Sequence, residues 1–177
     1  MPRVLITGGS GFLGINLIRH LQKKDIGISN IDLVPFSYGD CKERVRMVEG
    51  DIRNPSKVEE AMSGVDFVVH CAAALPLYPE EDIMTTDVVG TKNVLLSALR
   101  HGVKRFVHIS STAVYGVPDH HPIYESDPMI GVGAYGRAKI SAERACMEAR
   151  GKGMRITVLR PKSFIGPERL GVFALLY

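Results

Sequence analysis

The residues Val4-Leu5-Ile6-Thr7-Gly8-Gly9-Ser10-Gly11-Phe12-Leu13-Gly14, or VLITGGSGFLG, contain four glycines within seven positions. An unbroken apolar run leads into the glycines, and Leu13, Leu17 and Leu21 then repeat every four residues. This order is typical of a buried parallel strand, a tight glycine turn and an amphipathic helix. Glycine lets the backbone turn tightly, approach a pyrophosphate and pack a helix closely on a strand. The stretch therefore predicts a dinucleotide site at a helix N-terminus, whose N–H groups and dipole attract phosphate.

Two glycine templates fit this stretch. Gly9-x-Gly11-x-x-Gly14 is the general dinucleotide fingerprint, whereas Gly8-x-x-Gly11-x-x-Gly14 is a narrower pattern. Asp32 closes the second predicted strand 18 residues after Gly14, near the spacing of about 20 residues expected of the acid that binds the adenosine ribose. Because a carboxylate there repels a 2′-phosphate, the sequence favours NAD over NADP. A glycine turn without a ligand is the alternative, and the agreement of strand, glycines, helix and acid argues against it.

The remainder of the chain alternates short apolar runs with helical patterns. The predicted strands are Arg3–Ile6, Gly27–Ile31, Arg46–Glu49, Phe67–His70, Arg105–Ile109 and Arg155–Leu159. Further helices are indicated by the start signal Asn54-Pro55-Ser56, by the apolar residues between Val88 and Leu99, and by Ala134–Ala149. The alternation predicts an α/β protein: a Rossmann-like doubly wound parallel sheet with helices on both faces, with residues 1–177 forming one NAD-binding domain. The irregular stretch Gly116–Val132 predicts a functional or mobile loop.

Composition and charge exclude several classes of function. The 177 residues carry a net charge of +3, with scattered basic residues and no stripe of aromatic and basic side chains, so we expect no nucleic-acid partner. The three cysteines form no CxxC pair, which argues against a disulfide framework or a zinc site. No signal peptide and no apolar run near the ~18 residues of a membrane span are visible, so we expect a cytoplasmic protein without a membrane partner. The apolar end Gly171–Tyr177 indicates a helix cut short, and therefore a fragment of a longer protein.

Two features of the second half carry chemistry. Tyr135 and Lys139 lie four residues apart in a predicted helix and so share one face. Positive charge from the lysine and from oxidised nicotinamide favours a phenolate, which can remove a hydroxyl proton while hydride leaves the same carbon. The run Ser110-Ser111-Thr112 ends the fifth strand, where parallel sheets bind ligands and a hydroxyl can steady a substrate oxygen. Either feature alone also suits an ordinary surface pair or a local turn.

These motifs occur together in an order that resembles one family. The segments are Thr7-Gly8-x-x-Gly11-x-x-Gly14, Asp32, Asp51-Ile52, His70-Cys71-Ala72-Ala73, Val88-Val89-Gly90-Thr91-Lys92-Asn93-Val94, Ser110-Ser111-Thr112-Ala113-Val114-Tyr115-Gly116, Tyr135-x-x-x-Lys139, and Arg160-Pro161 through Gly166-Pro167. Over essentially its whole length the chain is similar to the extended short-chain dehydrogenase/reductases, specifically the NAD-dependent epimerase/dehydratase group. The resemblance implies an epimerase or dehydratase that acts on a nucleotide sugar by hydride transfer to tightly held NAD through a keto intermediate. It also selects Gly8, Gly11 and Gly14 as the meaningful frame, with Gly9 matching the commoner fingerprint by coincidence.

The resemblance also implies roles for individual residues. Tyr135 would be the catalytic base, Lys139 would bind the nicotinamide ribose and favour the phenolate, and Ser111 would donate to the substrate oxygen, with Thr112 the less favoured choice. Cofactor contacts are implied for Gly8, Gly11, Phe12, Leu13, Gly14, Asp32, Asp51, Ile52, Ala72, Ala73, Lys139, Pro161 and Ser163. Asp51 would contact adenine, although it could equally cap the turn into the next helix. The same resemblance implies a homodimer through paired central helices.

The chain departs from the family pattern at Asp87, where the family usually has Asn. Aspartate cannot donate the hydrogen bonds of an amide, so a relay or positioning role at Asp87 stays an open question. The family's C-terminal part, which carries most substrate contacts, is also missing, so the fragment alone could be inactive. Two other functions therefore stay open: an NAD(P)-dependent alcohol/ketone reductase or hydroxysteroid-type dehydrogenase, and an NAD-binding module without turnover.

Polar residues in the predicted loop are weaker candidates. Asp119-His120-His121 has no third ligand at a zinc spacing, so we expect no metal site. Glu125 and Asp127 precede Tyr135 and could assist the loss of water in a dehydratase. Exposed loop carboxylates are, however, usually only solvated.

Overall fold

A parallel sheet forms the centre of the fold, and the computed structural model describes it within residues 1–41 and 45–166. Its six strands there are β1 (Arg3–Thr7), β2 (Gly27–Asp32), β3 (Val45–Glu49), β4 (Phe67–His70), β5 (Arg105–Ile109) and β6 (Ile156–Leu159). Their order across the sheet is β3-β2-β1-β4-β5-β6, and every neighbouring pair is parallel. The order reverses between β1 and β4, where doubly wound sheets bind ligands. The predicted strands are confirmed, and no end moves by more than one residue.

Helices connect the strands. They are α1 (Phe12–Leu21), α2 (Pro55–Met62), α3 (Glu80–Met84), α4 (Thr91–Arg100) and α5 (Gly133–Gly151), with a short 3-10 helix at Thr112–Tyr115. The start of α2 is as predicted, because the Asn54 side chain accepts the Ser56 N–H at 3.0 Å and Pro55 opens the helix. The predicted central helix is instead divided, since a π-helical turn, Thr85–Gly90, joins α3 to α4. Such turns are frequent at functional sites.

Alternate residues of the central strands face two separate cores. On one face, Val4 and Ile6 of β1 pack with Ile15 and Ile18 of α1. On the other face, Leu5 belongs to a core built with residues of α2, α4 and α5. Strands buried on both faces explain the unbroken apolar runs of the sequence. Helices therefore cover both faces of the sheet, as the predicted fold class requires.

The stretch between the 3-10 helix and α5 is irregular, as predicted. It returns to the sheet at Gly131, whose N–H donates to the Val114 carbonyl at 2.9 Å. The interpretations placed on Pro167 and on Gly171–Tyr177 lie outside the described residues.

Candidate active site

The carboxyl ends of β1 to β5 surround a cleft of about 670 Å³, a size typical of ligand sites. The predicted site residues that line it are Gly8, Gly11, Phe12, Leu13, Gly14, Asp32, Asp51, Ile52, Ala72, Ala73, Tyr135 and Lys139. Ser111, Pro161 and Ser163 do not line it, although their neighbours Ser110 and Phe164 do. The fold thus brings most of the sequence-predicted site residues to one place, across the point where the strand order reverses.

Three glycines shape the loop between β1 and α1, each for a different steric reason. Gly8 has a φ of +71°, and a Cβ there would lie 2.8 Å from the Cα of Ala72. A Cβ at Gly14 would overlap the Gly8 carbonyl oxygen, because α1 packs directly on the loop. A Cβ at Gly11 would meet only that same oxygen, at 3.3 Å, so the backbone there is open to the cleft. Among residues 1–41 and 45–166 no side chain caps the start of α1, so the N–H of Leu13 in its first turn can bind a phosphate.

Gly9 has a structural role of its own. Its N–H donates to Asn30 Oδ1 at 2.8 Å, and a Cβ at Gly9 would overlap that oxygen. Gly9 thus packs closely against Asn30 whichever glycine frame is the meaningful one, and its coincidental match to the commoner fingerprint stays a prediction. Asn30 is fully buried in β2 and also donates to Met47 Sδ at 3.2 Å. Asn30 was not among the predicted site residues, although a polar residue within a buried strand is a signal that could have identified it.

Asp32 ends β2 with a carboxylate held by backbone groups. Its Oδ2 accepts the Ser10 N–H at 2.9 Å, and its Oδ1 accepts the Val34 N–H at 3.0 Å. Ser10 belongs to the loop between β1 and α1, so this hydrogen bond holds the Asp32 carboxylate against the loop that would bind the phosphates. Carboxylate oxygens accept more than one hydrogen bond each, which leaves capacity for ribose hydroxyls. This end of the cleft suits adenosine, and the opposite end lies toward Tyr135 and Lys139.

Asp51 closes the turn that follows β3. Its Oδ1 accepts the Arg53 N–H at 2.7 Å, and its Oδ2 lies 2.7 Å from Arg53 Nη2. Partial burial works to raise the pKa of Asp51, but the Arg53 hydrogen bonds outweigh it and hold that pKa below its usual value. Asn54 supplies the helix cap itself. Asp51 also lines the cleft, so the two roles left open by the sequence are compatible.

The segment from the π-helical turn into α4 fixes this wall of the cleft. A Cβ at Gly90 would lie 2.6 Å from Ile52 Cδ1, so Ile52 occupies the space that a side chain would need. Asn93 Nδ2 donates to the carbonyl oxygens of Ile52, at 3.1 Å, and Arg53, at 3.0 Å. The motif residues Gly90 and Asn93 thus position the predicted adenine-side residues.

A buried chain of hydrogen bonds centred on His70 joins β1, β4 and α4. Thr91 donates its hydroxyl to the Asp87 carbonyl at 2.6 Å, so its oxygen accepts from His70 Nε2 at 2.9 Å. The network therefore assigns the His70 proton to Nε2, and Nδ1 accepts from the Thr7 hydroxyl at 2.7 Å. The Thr7 oxygen in turn accepts the N–H groups of Cys71 and Ala72, both at 3.1 Å. Burial lowers the pKa of His70 far below its usual value, so the chain is built on a neutral imidazole.

Tyr135 and Lys139 share the cleft face of α5. Lys139 Nζ lies 5.4 Å from the centroid of the Tyr135 ring and 3.1 Å from Asp87 Oδ2. Asp87 is 1% exposed, and its Oδ1 accepts the Ala74 N–H at 2.7 Å. Burial raises the pKa of Asp87, although the Lys139 charge opposes this. The departure from the family pattern therefore places a carboxylate directly against the predicted catalytic lysine.

The adjacent serines after β5 have different surroundings. Ser110 is 3% exposed, and its hydroxyl donates to Glu143 Oε1 at 2.5 Å. Ser111 is half-buried, and its Oγ accepts the Ala113 N–H at 3.1 Å, at the start of the 3-10 helix. Because Oγ acts there as an acceptor, the Ser111 hydroxyl hydrogen remains for a substrate oxygen. Of the two serines, Ser111 keeps its donor, although it does not line the cleft.

Arg160 fastens the irregular loop to α5. Its Nη2 lies 2.7 Å from Glu143 Oε2, while Nη1 donates to the Tyr115 hydroxyl at 2.6 Å and to the Glu125 carbonyl at 3.1 Å. The Glu143 hydrogen bonds raise the pKa of Arg160 further above its usual value, so the guanidinium is always charged. The carboxylates of Glu125 and Asp127 do not line the cleft, and Asp127 borders a separate hollow of about 60 Å³. Their part in a dehydration stays a prediction.

The residues after β6 pass close to the glycine loop. A Cβ at Gly166 would lie 3.0 Å from Phe12 Cζ, and Phe164 lines the cleft. Pro161 accepts the Thr112 N–H at 3.1 Å with its carbonyl, and Ser163 is exposed. The predicted cofactor contacts of Pro161 and Ser163 stay predictions, and Phe164 is the residue of this segment that faces the cleft.

The described part of the chain has no group of side chains for a metal ion and no helix that could span a membrane. Within residues 1–41 and 45–166, no group of three His, Cys, Asp or Glu side chains could hold a metal ion. No helix in the same ranges is long and apolar enough to cross a membrane.

Comparison with known proteins decides the family. Residues 4–173 match the NAD dependent epimerase/dehydratase family. The chain belongs to this family. It is 31% identical over 181 residues to UDP-glucose 4-epimerase of Azospirillum brasilense. The aligned residues cover 96% of this chain and 51% of that protein.

Solved structures agree with this assignment and with the fold. The enzyme WbmG of Bordetella bronchiseptica in complex with NAD is 30% identical, with a TM-score of 0.80 over 89% of this chain and 52% of that one. UDP-glucose 4-epimerase of Thermotoga maritima with UDP-glucose is 25% identical, with a TM-score of 0.89 over 98% of this chain and 61% of that one. The resemblance to extended short-chain dehydrogenase/reductases is confirmed. The chain spans about half the length of the curated relatives it matches, at 44%, 51% and 49%.

NAD is the cofactor of this family, as the sequence predicted. The cleft fits it on independent grounds. Gly11 leaves open backbone where a pyrophosphate would approach, and Asp32 stands beside the loop where the adenosine ribose would lie. The residues that would hold the cofactor are therefore in place at both the phosphate and the adenosine positions.

Proposed function

We propose that this chain is the cofactor-binding part of a nucleotide-sugar epimerase or dehydratase in which Tyr135 removes a sugar hydroxyl proton. One observation carries the proposal: Tyr135 and Lys139 line the same cleft as the glycine loop and Asp32. A cofactor whose adenosine end is held at Asp32 would place its nicotinamide end beside these two side chains.

The side chains at this end have complementary chemical roles. The ammonium of Lys139, 5.4 Å from the Tyr135 ring centroid, favours negative charge developing on the phenol oxygen. The phenolate accepts the substrate proton, and Ser111 donates its hydroxyl hydrogen to the same substrate oxygen. NAD, when bound, supplies a hydride acceptor next to the carbon that loses the proton from its hydroxyl.

The substrate class rests on relatives rather than on this chain's own residues. Relatives include UDP-glucose 4-epimerases and dTDP-glucose 4,6-dehydratases at about 31% identity. This chain spans about half the length of these relatives, so its contacts with a sugar have to be identified in the full-length protein.

The proposal is tested with full-length protein and a panel of UDP- and dTDP-sugars. An isomerised or dehydrated sugar, with bound NAD and no net NADH, is the expected result. Stoichiometric NADH release would indicate the simple dehydrogenase instead. Binding of NAD with no conversion of any sugar, and no effect of Tyr135→Phe, would indicate a binding module and overturn the proposal.

A further inference from the structure

Asp87 is a buried carboxylate in the wall of the cleft where the family pattern has a neutral amide. Its Oδ1 accepts the Ala74 N–H at 2.7 Å, and its Oδ2 lies 3.1 Å from Lys139 Nζ. The two side chains are 0% and 3% exposed. Opposite charges this close and this well shielded from water interact strongly, and either one alone would be costly to bury.

Asp87 is the group that compensates the positive charge of Lys139. Four other titratable side chains near Lys139 are uncharged. Two are the imidazoles of His70 and His108, whose pKa is lowered by burial. The others are the thiols of Cys71 and Cys146, whose pKa is raised by burial. Glu143, one helical turn after Lys139, is paired with Arg160. Among residues 1–41 and 45–166, Asp87 is the carboxylate that forms an ion pair with Lys139. The charges of Asp87 and Lys139 therefore sum to zero, while the Lys139 ammonium, 5.4 Å from the Tyr135 ring centroid, stays close enough to favour negative charge on the phenol oxygen.

We propose that Asp87 sets the oxidation-state preference of the cofactor site by neutralising Lys139. An oxidised nicotinamide ring carries a positive charge and a reduced one does not, so an uncompensated ammonium would repel the oxidised form selectively. The proposal rests on the proposed function, in which oxidised NAD stays bound between turnovers. Asp87 acts through Lys139 and is a positioning residue.

The test compares the dissociation constants of NAD⁺ and NADH in the parent protein and in Asp87→Asn. Asparagine keeps the shape of the side chain and the acceptor for the Ala74 N–H, so the wall of the cleft is preserved. We expect the ratio of Kd for NAD⁺ to Kd for NADH to rise roughly tenfold at low ionic strength, because one negative charge near the ring is lost.

Two further variants isolate the charge effect. Glu81→Gln makes the same change in net charge at an exposed position of α3 and is expected to leave the ratio unchanged. Asp87→Asn combined with Lys139→Met removes both charges, and its ratio should return to within about twofold of the parent value. Both forms will bind more weakly in this double variant, but the ratio is the measured quantity.

An unchanged ratio in Asp87→Asn, or an equal loss of affinity for both forms, overturns the inference. Failure of the proposed function is a separate observation, since it appears as a parent protein that binds both forms but converts no nucleotide sugar.

Discussion

His108 makes the stability of the fold depend on pH. Its ring is 1% exposed and stacks on His70 at a centroid distance of 5.4 Å. Neither of its ring nitrogens has a hydrogen-bond partner among the described residues. Burial, with a smaller contribution from the Lys139 charge, lowers the pKa of His108 to about 3. In the unfolded chain the pKa would be near the ordinary value of about 6.5.

The sign and size of the effect follow from these two pKa values. Below pH 6.5 the unfolded chain binds a proton at His108 that the folded chain does not. The free energy of unfolding is therefore unaffected by His108 above that pH and decreases as the pH falls toward 3. Each pH unit in this window costs about 1.4 kcal/mol, so moving from pH 7.5 to pH 5.0 removes about 2 kcal/mol through His108. His70 acts in the same direction.

Urea unfolding at pH 7.5 and pH 5.0 measures this loss. We expect the free energy of unfolding of His108→Phe to fall by about 2 kcal/mol less than that of the parent, because the variant has no proton to bind in the unfolded chain. His20→Phe, at an exposed position of α1, should lose as much as the parent. Equal losses in the parent and in His108→Phe would refute the reasoning, whatever the absolute stability of the variant.

Three other predictions test the glycine loop, the preference for NAD over NADP, and the ion pair between Arg160 and Glu143. Gly14→Ala forces a methyl group against the backbone of the glycine loop, so it should lower the free energy of unfolding by about 1–3 kcal/mol and weaken NAD binding roughly tenfold by calorimetric titration. Gly151→Ala, in open space at the end of α5, should leave NAD binding unchanged and should not lower the free energy of unfolding. Asp32→Ala should weaken NAD binding while improving NADP binding, since it removes the charge that repels a 2′-phosphate; parallel weakening of both would contradict this. Arg160→Met strands the buried carboxylate of Glu143 and should cost about 3 kcal/mol in urea unfolding. Adding Glu143→Gln should recover most of that loss, and no recovery would mean that the loss arises from packing.

The strands were predictable because their burial is encoded locally. Val4-Leu5-Ile6 is apolar at every position, and a strand covered on both faces requires that pattern. The divided central helix was not predictable in the same way. Its apolar residues fit one long helix, while the π-helical turn at Thr85–Gly90 ends in contacts with residues far away in the sequence: Gly90 packs on Ile52, and Thr91, the next residue, accepts a hydrogen bond from His70.

The site residues show the same difference between features defined by nearby sequence and features defined by distant contacts. Gly8, Gly14 and Asp32 were identifiable because a glycine turn and a strand end define them locally. The contact between Asp87 and Lys139 joins residues 52 positions apart, and neither neighbourhood reveals the other. A sequence pattern can therefore name the departure at Asp87 but cannot show what the carboxylate touches.

Tyr135 is proposed to act as a base within an intact cofactor site. Tyr135→Phe in the full-length protein, measured for both NAD affinity and conversion of the sugar substrate, tests it most directly. We expect the Kd for NAD to stay within about twofold of the parent value while turnover falls by roughly 10²- to 10⁴-fold, the usual contribution of a positioned base. Unchanged turnover in Tyr135→Phe, with NAD still bound, would contradict the central claim.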